Sequence, residues 1–69
     1  MKFTIETELE EDGRIIAEVP ELPGVLVYAQ TESEAIALVQ ALALRVLADR
    51  FERGDVASEL VSISFVAAA

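Results

Sequence analysis

The seam Val19-Pro20-Glu21-Leu22-Pro23-Gly24 holds both prolines of the chain and one of its three glycines. Pro20 has no N–H to give to a ladder, so a strand that arrives at Val19 must stop there. Pro23-Gly24 suits the two central positions of a type II turn, with φ preset at Pro and positive φ at Gly. Leu22, between the prolines, is placed to fold beneath the loop and seal one end of a core. The seam predicts a reversal between two strands and not a ligand loop.

The flanking segments have strand and helix periods. Residues 2–9 alternate, with Phe3, Ile5, Thr7 and Leu9 on one face and Lys2, Thr4, Glu6 and Glu8 on the other. Asp12-Gly13 then signals a hairpin. Residues 14–19 return with Ile15, Ala17 and Val19 inward and Arg14, Ile16 and Glu18 outward; Ile16 is the odd apolar residue on the solvent side. Residues 25–29 form a third strand after the seam. Thr31-Glu32-Ser33-Glu34 matches a capping box, so a helix runs from about 32 to 53 and ends at Gly54. Its apolar face comprises Ala35, Ile36, Val39, Leu42, Ala43, Val46 and Leu47, while Leu38, Leu44 and Phe51 fall outside the centre. After a loop at 54–59, residues 60–66 alternate as a fourth strand, leaving Ala67-Ala68-Ala69 as a frayed end.

The order is βββαβ, an α+β domain. A right-handed crossover from strand three puts strand four beside strand one, in the order 3-2-1-4. One sheet face carries the helix. The other carries Glu6, Glu8, Glu18, Ile16, Leu26 and Tyr28.

With 69 residues there is room for one domain only, and a chain of that size buries too little surface to be more than marginally stable alone. It has no Cys and no His, which excludes disulfides and the common zinc sites; no cofactor or metal site is expected. A hydrophobic content of 54% instead favours a homo-oligomer, a dimer or tetramer. Thirteen acidic residues against five basic ones give a net charge of −8. Autonomous nucleic-acid binding, which depends on Lys and Arg, is not expected. The charge suits a basic partner approached by electrostatic steering, although keeping an apolar domain in solution explains it equally well. The acidic N-terminus is unlike a signal peptide and no apolar run reaches the roughly 20 residues of a membrane span, so the expected location is cytoplasmic.

An acidic strand, a D-G hairpin, Val19-Pro20-Glu21-Leu22-Pro23-Gly24, a third strand and Thr31-Glu32-Ser33-Glu34-Ala35 together resemble the HicB-like antitoxin family, over residues 3–48. The resemblance implies a partial ribonuclease-H-like βββαβ unit that binds and masks a small basic toxin cleaving messenger RNA. Many members add a C-terminal DNA-binding segment; four residues follow Phe65 here, so no repressor activity is expected. Ile15 stands where the family often has an aromatic, Val25 where it often has Cys, and Gln30 where it often has a small polar residue.

Magnesium-assisted nuclease activity needs carboxylates converging from different elements. Glu6, Glu8 and Glu18 offer a cluster, but alternating strand residues face solvent by default, no Asp lies within a strand and no His can act as a base, so an enzyme is not expected. Glu10-Glu11-Asp12-Gly13 lacks the ligand spacing of a calcium loop. Arg45, Asp49 and Arg53 read as i,i+4 pairs, and the late arginines as partners of the helix dipole. Leu38, Leu44, Phe51, Tyr28 and Leu26 are the candidate interface residues, with the strand at 25–29 a second route through its edge. Glu6, Glu8, Glu18 and Glu21 are the candidate steering charges. The expected function is masking of a small basic toxin; the alternative is an orphan oligomeric scaffold or small-ligand module of the same fold.

Overall fold

The structure is a computed structural model that describes residues 1–55 and 59–68. It contains strands β1 (Lys2–Leu9), β2 (Ile15–Glu18) and β3 (Leu26–Ala29), helix α1 (Glu32–Glu52) and strand β4 (Ser64–Ala67). They make a mixed four-stranded sheet in the order β3-β2-β1-β4, as the sequence pattern predicts. β1 and β2 are antiparallel, as are β2 and β3, whereas β4 lies parallel to β1.

The turns follow from their residues. Glu10 and Arg14 close the first hairpin, with Glu10 N–H donating to Arg14 O at 2.8 Å and Gly13 N–H to Glu10 O at 3.0 Å. Gly13 has φ 88°, which makes this a three-residue loop ending in a glycine bulge, one residue longer than the tightest Asp-Gly turn. The seam is a double turn. Leu22 N–H donates to Val19 O and Val25 N–H to Leu22 O, both at 3.0 Å, with Gly24 at φ 88°. Val19 N–H reaches Val25 O at 3.0 Å and closes the pair, while Leu22 is buried beneath it.

Thr31 caps α1 by accepting the Glu34 N–H on its hydroxyl at 3.1 Å. The reciprocal bond from Glu34 does not form among the described residues; the nearby Glu32 carboxylate instead accepts from the Thr7 hydroxyl at 3.5 Å. At the other end Arg53 is the C-cap, Gly54 has φ 76°, Gly54 N–H donates to Phe51 O and Asp55 N–H to Arg50 O. Those two bonds make a Schellman ending, which satisfies carbonyls that the last turn leaves free. Thr31→Ala should lower stability by about 1 kcal/mol, read as a lower urea midpoint at unchanged slope.

The core is thin. Phe3, Ile5, Ala17, Val19, Leu22, Val25, Ala29, Ala35, Val39, Ala43 and Leu47 are buried, and Val19 and Val39 are the largest side chains to be fully so. Four of these are alanines, which let α1 lie close to β1, β2 and β3 but add little apolar area each. Phe3 and Phe65 extend the core toward β4, with ring centroids 5.9 Å apart.

Several expectations are corrected. β4 begins at Ser64, not at 60, because its ladder with β1 starts at Lys2↔Ser64. Ala67 belongs to that strand, and Ala68 N–H donates to Ile5 O at 2.9 Å, so neither is frayed; Ala69 lies outside the described residues, as do 56–58 of the predicted loop. Leu9 is on the inner face but 69% exposed, since the helix does not reach that end of β1. Phe51 is half-buried and packs against the core, because a long ring on a helix reaches back over the preceding turn. Asp49 pairs with Arg53 at 3.0 Å, and Arg53 also with Asp55 at 3.4 Å; Arg45 makes no ion pair among the described residues.

Candidate interaction surface

The register assembles the outer sheet face into two cross-strand rows. One runs Glu6–Glu18–Leu26 and the other Glu8–Ile16–Tyr28 across β1, β2 and β3. Carboxylates therefore stand on the β1 side and apolar groups on the β3 side. Ile16, out of place in the sequence pattern, is explained by Tyr28 directly opposite it. Cross-strand apolar pairs of this kind stabilise a sheet even on its solvent face. The Arg14 guanidinium lies 4.3 Å from the Tyr28 ring centroid, while its Nε donates to Asp12 at 2.7 Å. Arg14 thus borders the apolar patch, a placement that becomes visible only with the register.

Glu6 and Glu18 are directly opposite, and like charges in that position oppose folding. Glu6, Glu8, Glu10, Glu18 and Ile16 line a shallow depression of ≈ 140 Å³ between them. A cationic side chain seated there would relieve the repulsion and could lay its methylenes on Ile16. Among the described residues no group of three or more His, Cys, Asp or Glu side chains is arranged to hold a metal ion.

Glu21 is exposed but stands apart from this face in its bonding. Its carboxylate accepts Thr4 N–H on both oxygens at 3.1 Å and the Thr4 hydroxyl at 2.8 Å. Past Glu6↔Glu18 the antiparallel register would bring Thr4 opposite Pro20, which ends the ladder, so a side chain supplies the acceptor. The Thr4 N–H, followed by Glu21's own N–H and the Thr4 hydroxyl, holds the Glu21 carboxyl below its ordinary 4.5. A carboxyl with a lowered folded value stabilises the fold above its unfolded value, and this is lost as pH falls through the folded value. Glu21→Gln should accordingly flatten the fall in urea midpoint between about pH 6 and about pH 3. Asp12, held below 3.8 first by Arg14 N–H and then by its side chain, acts in the same direction in both proteins and cancels in the comparison.

On α1, Leu38 and Leu44 are exposed on the flanks of its outward side, unlike Phe51. A second concavity, a groove of ≈ 480 Å³, separates the N-terminal half of α1 from the β1–β4 edge. No helix among the described residues is long and apolar enough to cross a membrane. No family model matches the chain, and neither does any curated protein or solved structure.

Proposed function

We propose that this chain is a HicB-like, antitoxin-type binding module that masks a small basic RNA-cleaving protein. The observation that carries the reading is the pairing of Glu6 with Glu18, beside Glu8 and next to the apolar residues Ile16, Leu26 and Tyr28 of the two rows. A basic protein docked there gains charge complementarity from one half of the face and apolar contact from the other. Its RNA-contacting surface would itself be basic, so the acidic face competes for the same groups that bind phosphate. Masking is then occlusion and needs no chemistry from this chain, and it places the complex in the cytoplasm beside messenger RNA. The motif resemblance over residues 3–48 supports the same reading. Capture on the tagged chain from its native host, with identification of the bound proteins and an RNA-cleavage assay with and without the chain, tests it.

A second reading is favoured by Leu38 and Leu44, which stand exposed above a thin core. In that reading the chain is an oligomeric scaffold, a dimer or tetramer whose subunits meet through α1. Sedimentation of the purified chain distinguishes a monomer from such an assembly, and both leave the outer sheet face open to a partner.

A further inference from the structure

We propose that two copies of this chain pair through the outer edge of β3, antiparallel about a two-fold axis at Val27, and so join their four-stranded sheets into one. β3 ends the sheet, and its outer side faces no strand among the described residues. Met1 and Ala68 bond on the β1–β4 side, to Ser62 and Ile5, and the connection from α1 to β4 leads to that side too. Val19 N–H on Val25 O fixes the phase of β3. With Ala17 opposite Val27 and Ile15 opposite Ala29, the backbone groups of Val25, Val27 and Ala29 turn to β2. Those of Leu26 and Tyr28 turn to the outer edge. A two-fold axis at Val27 sets Leu26 opposite the partner's Tyr28, and Tyr28 opposite the partner's Leu26. Both N–H and both C=O groups of each copy then find acceptors and donors.

The edge has none of the features that keep edge strands single. Lys, Pro and bulges do this in other sheets, but Leu26–Ala29 contains no Pro or Gly and residues 22–31 carry no charge. Charge also selects the occupant. A basic partner gains nothing along an uncharged edge, whereas two copies that each carry −8 need such a stretch in order to meet. In the joined sheet the Glu18 side chains of the two β2 strands stand three strand spacings apart, about 14 Å, beyond a screening length of about 8 Å.

Side chains on both faces fit the join. α1 packs on β3 and β2 and therefore lies beside it. Ile36 and Gln40 mark the flank of α1 that faces the β1–β4 groove. Leu38, two residues from each and so about 200° round the helix, is on the flank toward β3. The two-fold axis brings this exposed leucine and the half-buried Val27 toward their own copies, which covers both on the inner face. On the outer face Leu26 and Tyr28 of the two copies form one apolar strip, with Glu6, Glu8 and Glu18 on either side of it. That face stays open, so the dimer presents two acidic patches to a basic protein. The inference rests on the reading that the chain self-associates and names the strand through which it does so.

The test uses the full chain, labelled with nitrogen-15, with sedimentation and amide exchange followed over a range of its own concentration. The chain should sediment as a dimer, and the amides of Leu26 and Tyr28 should exchange at least about tenfold more slowly as the dimer forms. Tyr28→Pro removes an outward N–H without breaking a bond to β2, and Leu38→Glu sets like charges across the axis. Each should weaken the dimer at least about tenfold while keeping the parent's circular dichroism. Should Tyr28→Pro not fold, Leu38→Glu and the exchange of the parent decide. A monomer at every concentration overturns the inference together with the self-association reading. A dimer in which Leu26 and Tyr28 exchange at the monomer's rate, or one that survives the substitutions, overturns the β3 join alone and leaves self-association to another surface.

Discussion

Leu22→Ala leaves the protein barely stable at 25 °C, with a large fall in its urea midpoint. Leu22 is 2% exposed and sits between the two prolines of the seam, where it closes the end of the core under the double turn. Removing a buried leucine side chain costs about 2–5 kcal/mol, the larger values where the surroundings cannot collapse. Here they are held by Pro20, Pro23 and three backbone bonds at 3.0 Å, so little relaxation is open to them. A single core in a domain this small rarely supplies more than about 3–5 kcal/mol, and the substitution removes most of it. Circular dichroism with urea titration reads the effect. Leu60→Ala, at a fully exposed position, is the control and should stay within about 0.5 kcal/mol of the parent. A Leu22→Ala midpoint close to the parent's would mean that the seam does not close the core.

The second large effect is on association. Changing Glu6, Glu8 and Glu18 together to Lys adds two charges at each of three positions and takes the chain from −8 to −2. Electrostatic steering raises association rates by about 10²-fold or more over the unsteered level, so binding of the basic partner should slow by about that factor at low salt. Added salt should close the gap between parent and variant, because screening removes what the variant has already lost. Folding should hardly change, since one repulsive pair, Glu6 with Glu18, is exchanged for another. The single change Glu18→Lys separates the two properties more sharply. It sets a cation opposite Glu6 and should raise stability while weakening partner binding.

The fold was legible where a local rule and a long-range rule agreed. Pro20, Pro23-Gly24 and the Thr31 cap fixed three boundaries, and strand alternation placed Phe3, Ile5, Ala17 and Val19 inward. What alternation cannot supply is coverage. Leu9 has the right phase for the core and is exposed, because phase says which face a residue occupies and not whether a helix lies above it. β4 shows the same limit. Val61 and Ile63 continue the alternation, yet a strand is as long as its ladder, which begins at Ser64.

The outer face was partly legible. Glu6, Glu8, Glu18, Leu26 and Tyr28 could be assigned to it by phase, but their grouping into an acidic side and an apolar side depends on register. The bulged turn at Gly13 sets that register, and one residue more or less would have moved every pair. Arg14 over Tyr28 had no sequence signal, since it arises from the β2–β3 register. Glu21 carried a misleading one: it reads as another surface charge, and only the missing N–H of Pro20 hints that Thr4 needs an acceptor.

The most direct test of the masking account is a paired capture from the native host, with the parent chain and the Glu6→Lys, Glu8→Lys, Glu18→Lys variant as baits at moderate salt. The account predicts a small basic protein in near-stoichiometric amount on the parent and its loss from the variant, with RNA cleavage by that protein suppressed when the parent is added back. Recovery of the same protein on both baits, or of the chain alone as an oligomer, would contradict it.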